Sequence, residues 1–472
     1  MEAALRFAGE IDRLGTEHEA AMPVRLLHAS TALRAAILAI QDDVNAAMDL
    51  ALRARLKFSG SDRCSITATI CRLGFWKSGS LSEFRSLGSE VRGRSVCRYE
   101  ACLAVFNMCL EAAVEFGRLR LLVAGRLATN ALTLARAGVA GESSAALLPA
   151  SVLAQVFYEQ GNLDEAEALI RFRLTAIRAR GTIECAIRAY VLLARIATHR
   201  GRADRALILL DDAVGLGMKR KWPRLVAAAL AERIRILLGE GEDAAAASCL
   251  RDLESFARRQ RLASAPGASD VQTHLEMARL RYGALHCGTD DMAAAIYSLR
   301  QGALARGDLH LALELHLISI AGSKEGGDRS EVNEQLLDAL DIGATQGLCM
   351  MFVDSGPVVR KMLVDFCQDT STTDDRVRDL RPYVQTLVAQ SSVLHSKSPV
   401  PAQPSKAPRH PLTPRESNIL RLIAGGLSNK RIAQRLDITP ETVKSHAKNI
   451  FAKLAAQTRA QAVAHAETLG LI

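Results

Sequence analysis

Three glycines that lie 40 residues apart, each followed five residues later by an alanine, constrain the fold of this chain more than any other feature. The three glycine–alanine pairs are Gly161 with Ala166, Gly201 with Ala206, and Gly241 with Ala246. Such a glycine can end a helix in the left-handed conformation, and the small alanine lets the next helix pack closely. One helix pair cannot bury its own apolar face, so neighbouring pairs must stack. The pattern predicts an array of helical hairpins.

Looser copies of the glycine turn extend the pattern along the chain, at Gly79, Gly117, Gly288 and Gly327. Aromatic residues make up only 4% of the composition, which favours helices over a β-sandwich or barrel. We therefore predict an all-α fold. An all-helical globule whose turns happen to use glycine is the alternative interpretation.

A cluster of prolines marks the clearest domain boundary. Five of the 13 prolines fall within residues 391–411, among several serines. Proline removes backbone donors and disfavours helix in the residue before it, which is typical of a semi-extended tether. We predict a helical-repeat domain over residues 1–390, a Pro/Ser-rich linker over 391–408 and a C-terminal module over 409–472.

Capping signals divide the C-terminal module into four helices. Thr413, followed by Pro414 and by Glu416 three residues after it, is a capping box. Ser428 and Thr439 are predicted to cap the second and third helices, and Thr458 the fourth. Only a three-residue turn separates the second and third helices, which indicates a helix-turn-helix motif at about residues 429–448.

The third helix of this module has two distinct faces on a helical wheel. The apolar residues that are expected to pack inward are Val443, Ala447, Ile450 and Leu454. The polar residues that are expected on the opposite face are Lys444, Ser445 and Lys448. The N-terminal half of a recognition helix enters the major groove of DNA, so this face is a candidate for contact with bases.

Positive charge is concentrated in the same module. The whole chain carries +9, and residues 409–472 hold ten Lys/Arg against four Asp/Glu, a net +6, which leaves +3 for the rest. Neutralisation of phosphates by such a module would supply affinity for DNA. A lysine-rich face that is only solvated is the alternative.

The module resembles the four-helix DNA-binding domain of LuxR/NarL-type regulators in Leu412–Glu416, Gly426–Ala433, Thr442–His446 and Ile450–Leu454. The resemblance implies contacts with base edges from Lys444, Ser445 and Lys448. It implies phosphate contacts from Asn429, Lys430, Thr442, Lys453 and His446, although a packing role for His446 stays open. It also implies dimerisation on DNA through Ala460, Val463 and Ala464, paired half-sites in the operator, and recruitment of RNA polymerase.

The array resembles the tetratricopeptide-like superhelical domain of the MalT-type (LAL) transcription activators. The stretch from Gly347 to Pro357, with Phe352, Asp354 and Gly356, is similar to the segment that closes the array in that family. Larger members carry an upstream ATPase, but this chain contains no Gly-Lys dipeptide and hence no phosphate-binding loop of that kind. We expect a short relative that lacks the ATPase; the alternative is that ATP control is supplied elsewhere.

Taken together, these patterns predict a sequence-specific DNA-binding transcription regulator, an activator, whose array senses an unknown effector or protein partner. The alternative is a helical-repeat scaffold or anti-activator that acts mainly through protein contacts. Neither H-E-x-x-H nor G-x-S-x-G occurs, so we expect no enzyme, no cofactor and no metal site. We also expect no membrane span and a cytoplasmic location. Arginines cluster at 171, 173, 178, 180, 188 and 195, either as an anionic effector site or as a solvated face.

Overall fold

A computed structural model describes residues 24–57, 65–88, 98–137, 144–262, 268–286, 290–323, 329–368 and 375–396, and then 419–420, 422–424, 429–436, 439, 442–444, 446–447 and 450. Over these residues every regular element is a helix and no strand occurs, which confirms the all-α fold class. The chain divides into two compact units, Met1–Ser396 and Lys397–Ile472.

Turns and loops join the helices of the first unit, which follow in chain order. In its first half they are α1 (Val24–Ile40), α2 (Val44–Lys57), α3 (Ser65–Ser78), α4 (Leu81–Ser86), α5 (Arg98–Gly117), α6 (Leu121–Ala137), α7 (Leu147–Glu159), α8 (Leu163–Arg171) and α9 (Leu174–Arg180). In its second half they are α10 (Ile183–His199), α11 (Ala203–Arg220), α12 (Pro223–Gly239), α13 (Asp243–Leu262), α14 (Ala268–His286), α15 (Asp290–Ala305), α16 (Leu309–Ala321), α17 (Arg329–Gln346), α18 (Met350–Val353), α19 (Pro357–Gln368) and α20 (Asp375–Ser396).

The three repeating glycines have the predicted left-handed backbone. Gly161, Gly201 and Gly241 have φ angles of 84°, 68° and 76° and separate α7 from α8, α10 from α11, and α12 from α13. The alanines that follow them are fully buried: Ala166, Ala206 and Ala246. The 40-residue hairpin repeat is therefore confirmed where its sequence signal is strongest.

The looser copies of the turn have mixed outcomes. Gly79 ends α3 with a φ of 79°, as predicted. Gly117 instead lies in the last turn of α5, and Leu119 takes the left-handed conformation with a φ of 62°. Gly307 has a φ of 70° between α15 and α16. Gly288 and Gly327 lie outside the described residues.

One continuous apolar core joins the middle hairpins to the closing segment of the array. It contains Tyr158 of α7, Tyr190 of α10, Ile236 of α12 and Phe352 of α18, all fully buried or nearly so. Residues almost 200 positions apart thus share one core, and the stack is stabilised by more than contacts between successive repeats.

The closing segment is a short buried helix between two stops. Residues 348–353, which include all of α18, are buried, and Gly356 has a φ of 96° immediately before Pro357 begins α19. The following helix, α20, contains Pro382 and runs to Ser396, six residues into the predicted linker, since no further proline follows until Pro399. No helix in the described part of the chain is both long and apolar enough to cross a membrane.

The second unit shows the helix-turn-helix region in part. Its described helix α21 (Asn429–Leu436) is the predicted second helix. Helical residues also occur at 419–420 and 422–424, in the predicted first helix, and at 442–444, 446–447 and 450, in the predicted third. The predicted fourth helix lies outside the described residues.

Candidate functional site

The third helix of the second unit begins with the predicted side-chain cap. The backbone amide of Thr442 donates to the Thr439 hydroxyl oxygen at 3.2 Å, and the amide of Val443 donates to the Thr439 carbonyl at the same distance. The two threonine hydroxyls lie 2.7 Å apart. Thr439 thus satisfies amides that the first turn would otherwise leave without acceptors, and it fixes where the helix begins.

The predicted inward face of this helix is buried. Val443 and Ile450 are fully buried and Ala447 nearly so. Apolar residues of the two preceding helical segments are buried as well: Ile419, Leu420, Ile423, Ile432 and Ala433. This burial sets the rotation of the third helix, so residues on its opposite side must face outward. Leu454, the fourth residue of the predicted stripe, lies outside the described residues.

The opposite face of the third helix carries exposed polar side chains. Thr442 and Lys444 are exposed, and His446 is half-buried at the edge of the apolar stripe. Arg431 on α21 is exposed as well. An exposed hydroxyl and an exposed ammonium in the first turns of this helix can approach a polyanion.

The remaining predicted contact residues are only partly described. Asn429 and Lys430 form the first turn of α21. Six further predicted residues lie outside the described residues: Ser445, Lys448, Lys453, Ala460, Val463 and Ala464. The roles of all these residues stay predictions.

A second polar region lies inside the array, where α7, α10 and α12 meet the residues just after α18. The Tyr158 hydroxyl donates to Asp354 Oδ2 at 2.8 Å, and His199 Nε2 lies 2.8 Å from Asp354 Oδ1. Burial, and then the nearby carboxylate, raise the pKa of Tyr158 well above its usual value. Asp354 thus ties the ends of two repeat helices to the closing segment.

Two arginines complete this cluster and compensate its charge. Arg195 donates to Glu232 Oε2 from Nε and Nη2 at 3.1 and 3.0 Å, and Arg235 Nε donates to Glu232 Oε1 at 2.8 Å. Both guanidinium groups also approach Asp354 to 3.5 Å. Burial alone would raise the pKa of Glu232, but the two arginines lower it to about 2. By the same balance, Arg235 and His199 hold the pKa of Asp354 well below its usual range.

A third cluster links the N-terminal helices to the middle of the array. Buried Arg224 of α12 binds Asp42 through Nε and Nη2, at 2.7 to 2.9 Å. It also donates to Glu184 at 2.7 Å and to Asp270 at 3.0 Å, and Lys77 lies 2.8 Å from Glu184. These contacts join α3, α10, α12, α14 and the turn between α1 and α2. Within the described part of the chain, no group of three His, Cys, Asp or Glu could hold a metal ion.

The arginine cluster predicted in the middle of the array separates into different environments. Arg178 pairs with Asp212 at 2.9 Å, Arg188 with Gln155 at 2.8 Å, and Arg195 with Glu232. Arg171 instead lines a groove with arginines of the next repeat. The six arginines therefore do not form a single binding site for an anionic effector.

Sequence reasoning missed the part that Asp354 plays in the array. The only signal was its place in the stretch from Gly347 to Pro357, which indicates a closing segment but not its partners. Those partners lie 119 to 196 positions away along the chain, at Tyr158, Arg195, His199 and Arg235. No local periodicity reports such a contact.

Two family descriptions match the chain. The family described as "MalT-like TPR region" matches residues 29–369, and "Bacterial regulatory proteins, luxR family" matches residues 410–466. The chain is 26% identical over 336 residues to the HTH-type transcriptional regulator MalT of Cronobacter sakazakii, a match that covers 67% of this chain and 35% of that protein. It is 29% identical over 154 residues to the MalT of Klebsiella pneumoniae, covering 31% of this chain and 17% of that one. The chain thus spans about a third or less of the length of these relatives.

A solved structure shares the fold at low sequence identity. It is described as a Rap protein complexed with Competence and Sporulation Factor, and it matches with a TM-score of 0.50 and 13% identity. The match covers 78% of this chain and 99% of that one. At this identity the likeness shows the helical-repeat fold alone.

Proposed function

Since the chain belongs to the MalT-like TPR family, with a luxR-family module at residues 410–466, we propose that it regulates transcription by binding double-stranded DNA through this module. The observation that carries the proposal is the two-faced third helix. Val443, Ala447 and Ile450 are buried, while Thr442 and Lys444 are exposed on the other side. A capped helix held inward by apolar residues and presenting cationic and polar groups outward fits a major groove.

Within this proposal the predicted residues divide by the part of DNA that they contact. Base edges are contacted by Lys444, Ser445 and Lys448. Phosphates are contacted by Asn429, Lys430, Thr442, Lys453 and His446. Two modules bind paired half-sites and dimerise through Ala460, Val463 and Ala464. Phosphate contacts position the module, whereas contacts with base edges select the sequence.

The array is proposed to receive an effector or protein partner. Support comes from its polar interior, where Tyr158, Arg195, Glu232 and Asp354 form a charge-compensated cluster between repeats. A ligand that favours one arrangement of the repeats would shift the population of DNA-binding states. That a protein of the same fold was solved in complex with Competence and Sporulation Factor supports a ligand-binding role for such an array.

Finer parts of the proposal follow from the family. The regulator is an activator that recruits RNA polymerase, works in the cytoplasm and needs neither an enzymatic step nor a cofactor. The competing function is a scaffold or anti-activator in which the C-terminal module binds DNA weakly or serves only for dimerisation.

A DNA titration of the full chain at two salt concentrations tests the proposal. The regulator is expected to bind a sequence selected from a random duplex library in the nanomolar range, with affinity that falls steeply between 50 and 200 mM salt, by about 10³-fold or more. A mutated site serves as the matched control and should bind at least about 10³-fold more weakly. Weak binding with no preference between the two duplexes would support the scaffold instead.

A further inference from the structure

A groove between successive repeats of the array brings Arg171 beside three arginines of the following hairpin, Arg200, Arg202 and Arg205. It lies where α8, α10 and α11 meet and encloses about 50 Å³. Its apolar wall consists of the half-buried Leu174 and Leu209 and the buried Leu193, Ile196 and Ala197. The lining also includes Glu167 and the arginines at 171, 200, 202 and 205.

Three of the four arginines keep their charge uncompensated. Arg200 forms ion pairs with Asp164 and Glu167, which neutralises the only acidic residue among those that line the groove. Over the described residues, no carboxylate forms an ion pair with Arg171, Arg202 or Arg205. This contrasts with Arg195 and Arg224 in the interior of the array, which are both bound to carboxylates.

The start of α11 adds to the positive potential of the groove. This helix has 18 residues, and no side chain forms a hydrogen bond that caps its first turn. Its N-terminal dipole favours negative charge at the same end as Arg202 and Arg205, where Asp204 also lies in the first turn. The guanidinium groups of Arg171, Arg202 and Arg205 are therefore the main source of positive potential in the groove.

We propose that this groove binds the phosphate group of a small organic phosphate monoester, whose apolar part lies against Leu174 and Leu209. A monoester carries close to two negative charges near neutral pH, and guanidinium groups bind its oxygens in a bidentate manner. The enclosed volume suits a head group of a few heavy atoms, with the rest of the ligand reaching the open side.

Because the groove lies between two hairpins of the array, a ligand bound there can change how the hairpins are arranged. Arg171 belongs to the hairpin of α7 and α8, whereas Arg202 and Arg205 belong to that of α10 and α11. A dianion held by all three would join the two repeats and favour one angle between them. A regulatory role for this ligand rests on the proposed function of the array as an effector-binding domain. Binding of the ligand to the groove does not depend on DNA binding.

Calorimetric titration of the full chain with phenyl phosphate, in the absence of DNA, tests the proposal. Phenyl phosphate is expected to bind, inorganic phosphate to bind more weakly because it lacks the apolar part, and phenol not to bind. The variants Arg171→Ala, Arg202→Ala and Arg205→Ala should each raise the Kd about tenfold, which corresponds to about 1.4 kcal/mol. Arg258→Ala, an exposed arginine on α13, is the matched control and should leave the Kd unchanged.

Several outcomes would overturn the assignment. They are no binding of phenyl phosphate, equal affinity for phenol, or equal losses in the Arg258→Ala control and the groove variants. Equal affinity for inorganic and phenyl phosphate would overturn the role of the apolar wall. A parallel DNA titration keeps the two proposals apart, because phenyl phosphate can bind whether or not the C-terminal module binds DNA.

Discussion

Lys444 shows how burial at one position determines the chemistry available at the next. Its neighbour Val443 is fully buried, which turns the Lys444 side chain to the outside of the third helix. Thr439 caps this helix three residues before Thr442, so Lys444 lies in its N-terminal half. In a helix-turn-helix protein this is the half whose side chains reach base edges.

The substitution Lys444→Ala is expected to reduce discrimination between operator and non-operator DNA by about 1–3 kcal/mol, the range for loss of one good base contact. Competition titrations with the two duplexes measure this ratio. Lys361→Ala, an exposed lysine on α19, is the matched control. If Lys444→Ala weakens binding to both duplexes equally, the side chain contacts phosphate rather than bases.

Asp354 lies among charged side chains inside the array, and its negative charge, more than its size, stabilises the fold. Asp354→Asn keeps the shape but leaves Arg195 and Arg235 with only Glu232 as a carboxylate partner. An uncompensated buried charge is costly, so the free energy of unfolding should fall by roughly 3 kcal/mol at pH 7. Denaturant titration measures the loss. Asp379→Asn, an exposed carboxylate on α20, should change it by less than about 0.5 kcal/mol, and equal effects would contradict the role of Asp354.

At the scale of elements, sequence signals predicted turns and caps better than helix ends. Gly161, Gly201 and Gly241 were predictable because the left-handed conformation favours glycine, and Thr439 because its hydroxyl oxygen accepts a hydrogen bond from a backbone amide. The end of α20 at Ser396 was not, since serines and lone polar residues are tolerated in a last turn. Leu119 taking the turn in place of Gly117 had no sequence signal, because leucine seldom has positive φ.

The cap at Thr439 allows an element-scale prediction for the third helix. Thr439→Ala removes the acceptor for the Thr442 amide and should destabilise the first turn by about 1 kcal/mol. Hydrogen exchange of the amides of residues 442–443 should quicken about fivefold, and affinity for DNA should fall. Thr439→Ser keeps the hydroxyl and serves as the control, so identical exchange in the alanine and serine variants would show that the cap does not hold this turn.

At the scale of the molecule, contacts between distant repeats distinguish this array from a simple linear stack. Asp42 binds Arg224, 182 positions away, and Asp354 binds Tyr158, 196 positions away. The repeat period predicts that neighbouring repeats stack, but it does not predict contacts between distant repeats. Those contacts depend on the curvature of the array, which is the sum of many small rotations between successive repeats. The sequence places Arg171 in an arginine cluster but does not show that it lies beside Arg202 and Arg205, because that groove forms only when two neighbouring repeats stack.

Ion pairs contribute to these long-range contacts and to the cluster around Glu232, so acid should destabilise the first unit. Glu232 has a pKa of about 2 when folded against an ordinary value of 4.5. A carboxylate whose pKa is lowered on folding stabilises the folded state above pH 4.5. This contribution, about 3 kcal/mol, is lost as the pH falls toward 2.

The substitution Glu232→Gln removes this carboxylate and its contribution to stability. The variant should therefore be less stable at pH 7 but lose less stability between pH 5 and 2 than the parent chain. Denaturant titrations at several pH values measure both slopes, with the exposed Glu240→Gln as control. If parent and Glu232→Gln lose the same amount in acid, the ion pairs of Glu232 with Arg195 and Arg235 do not hold the repeats together.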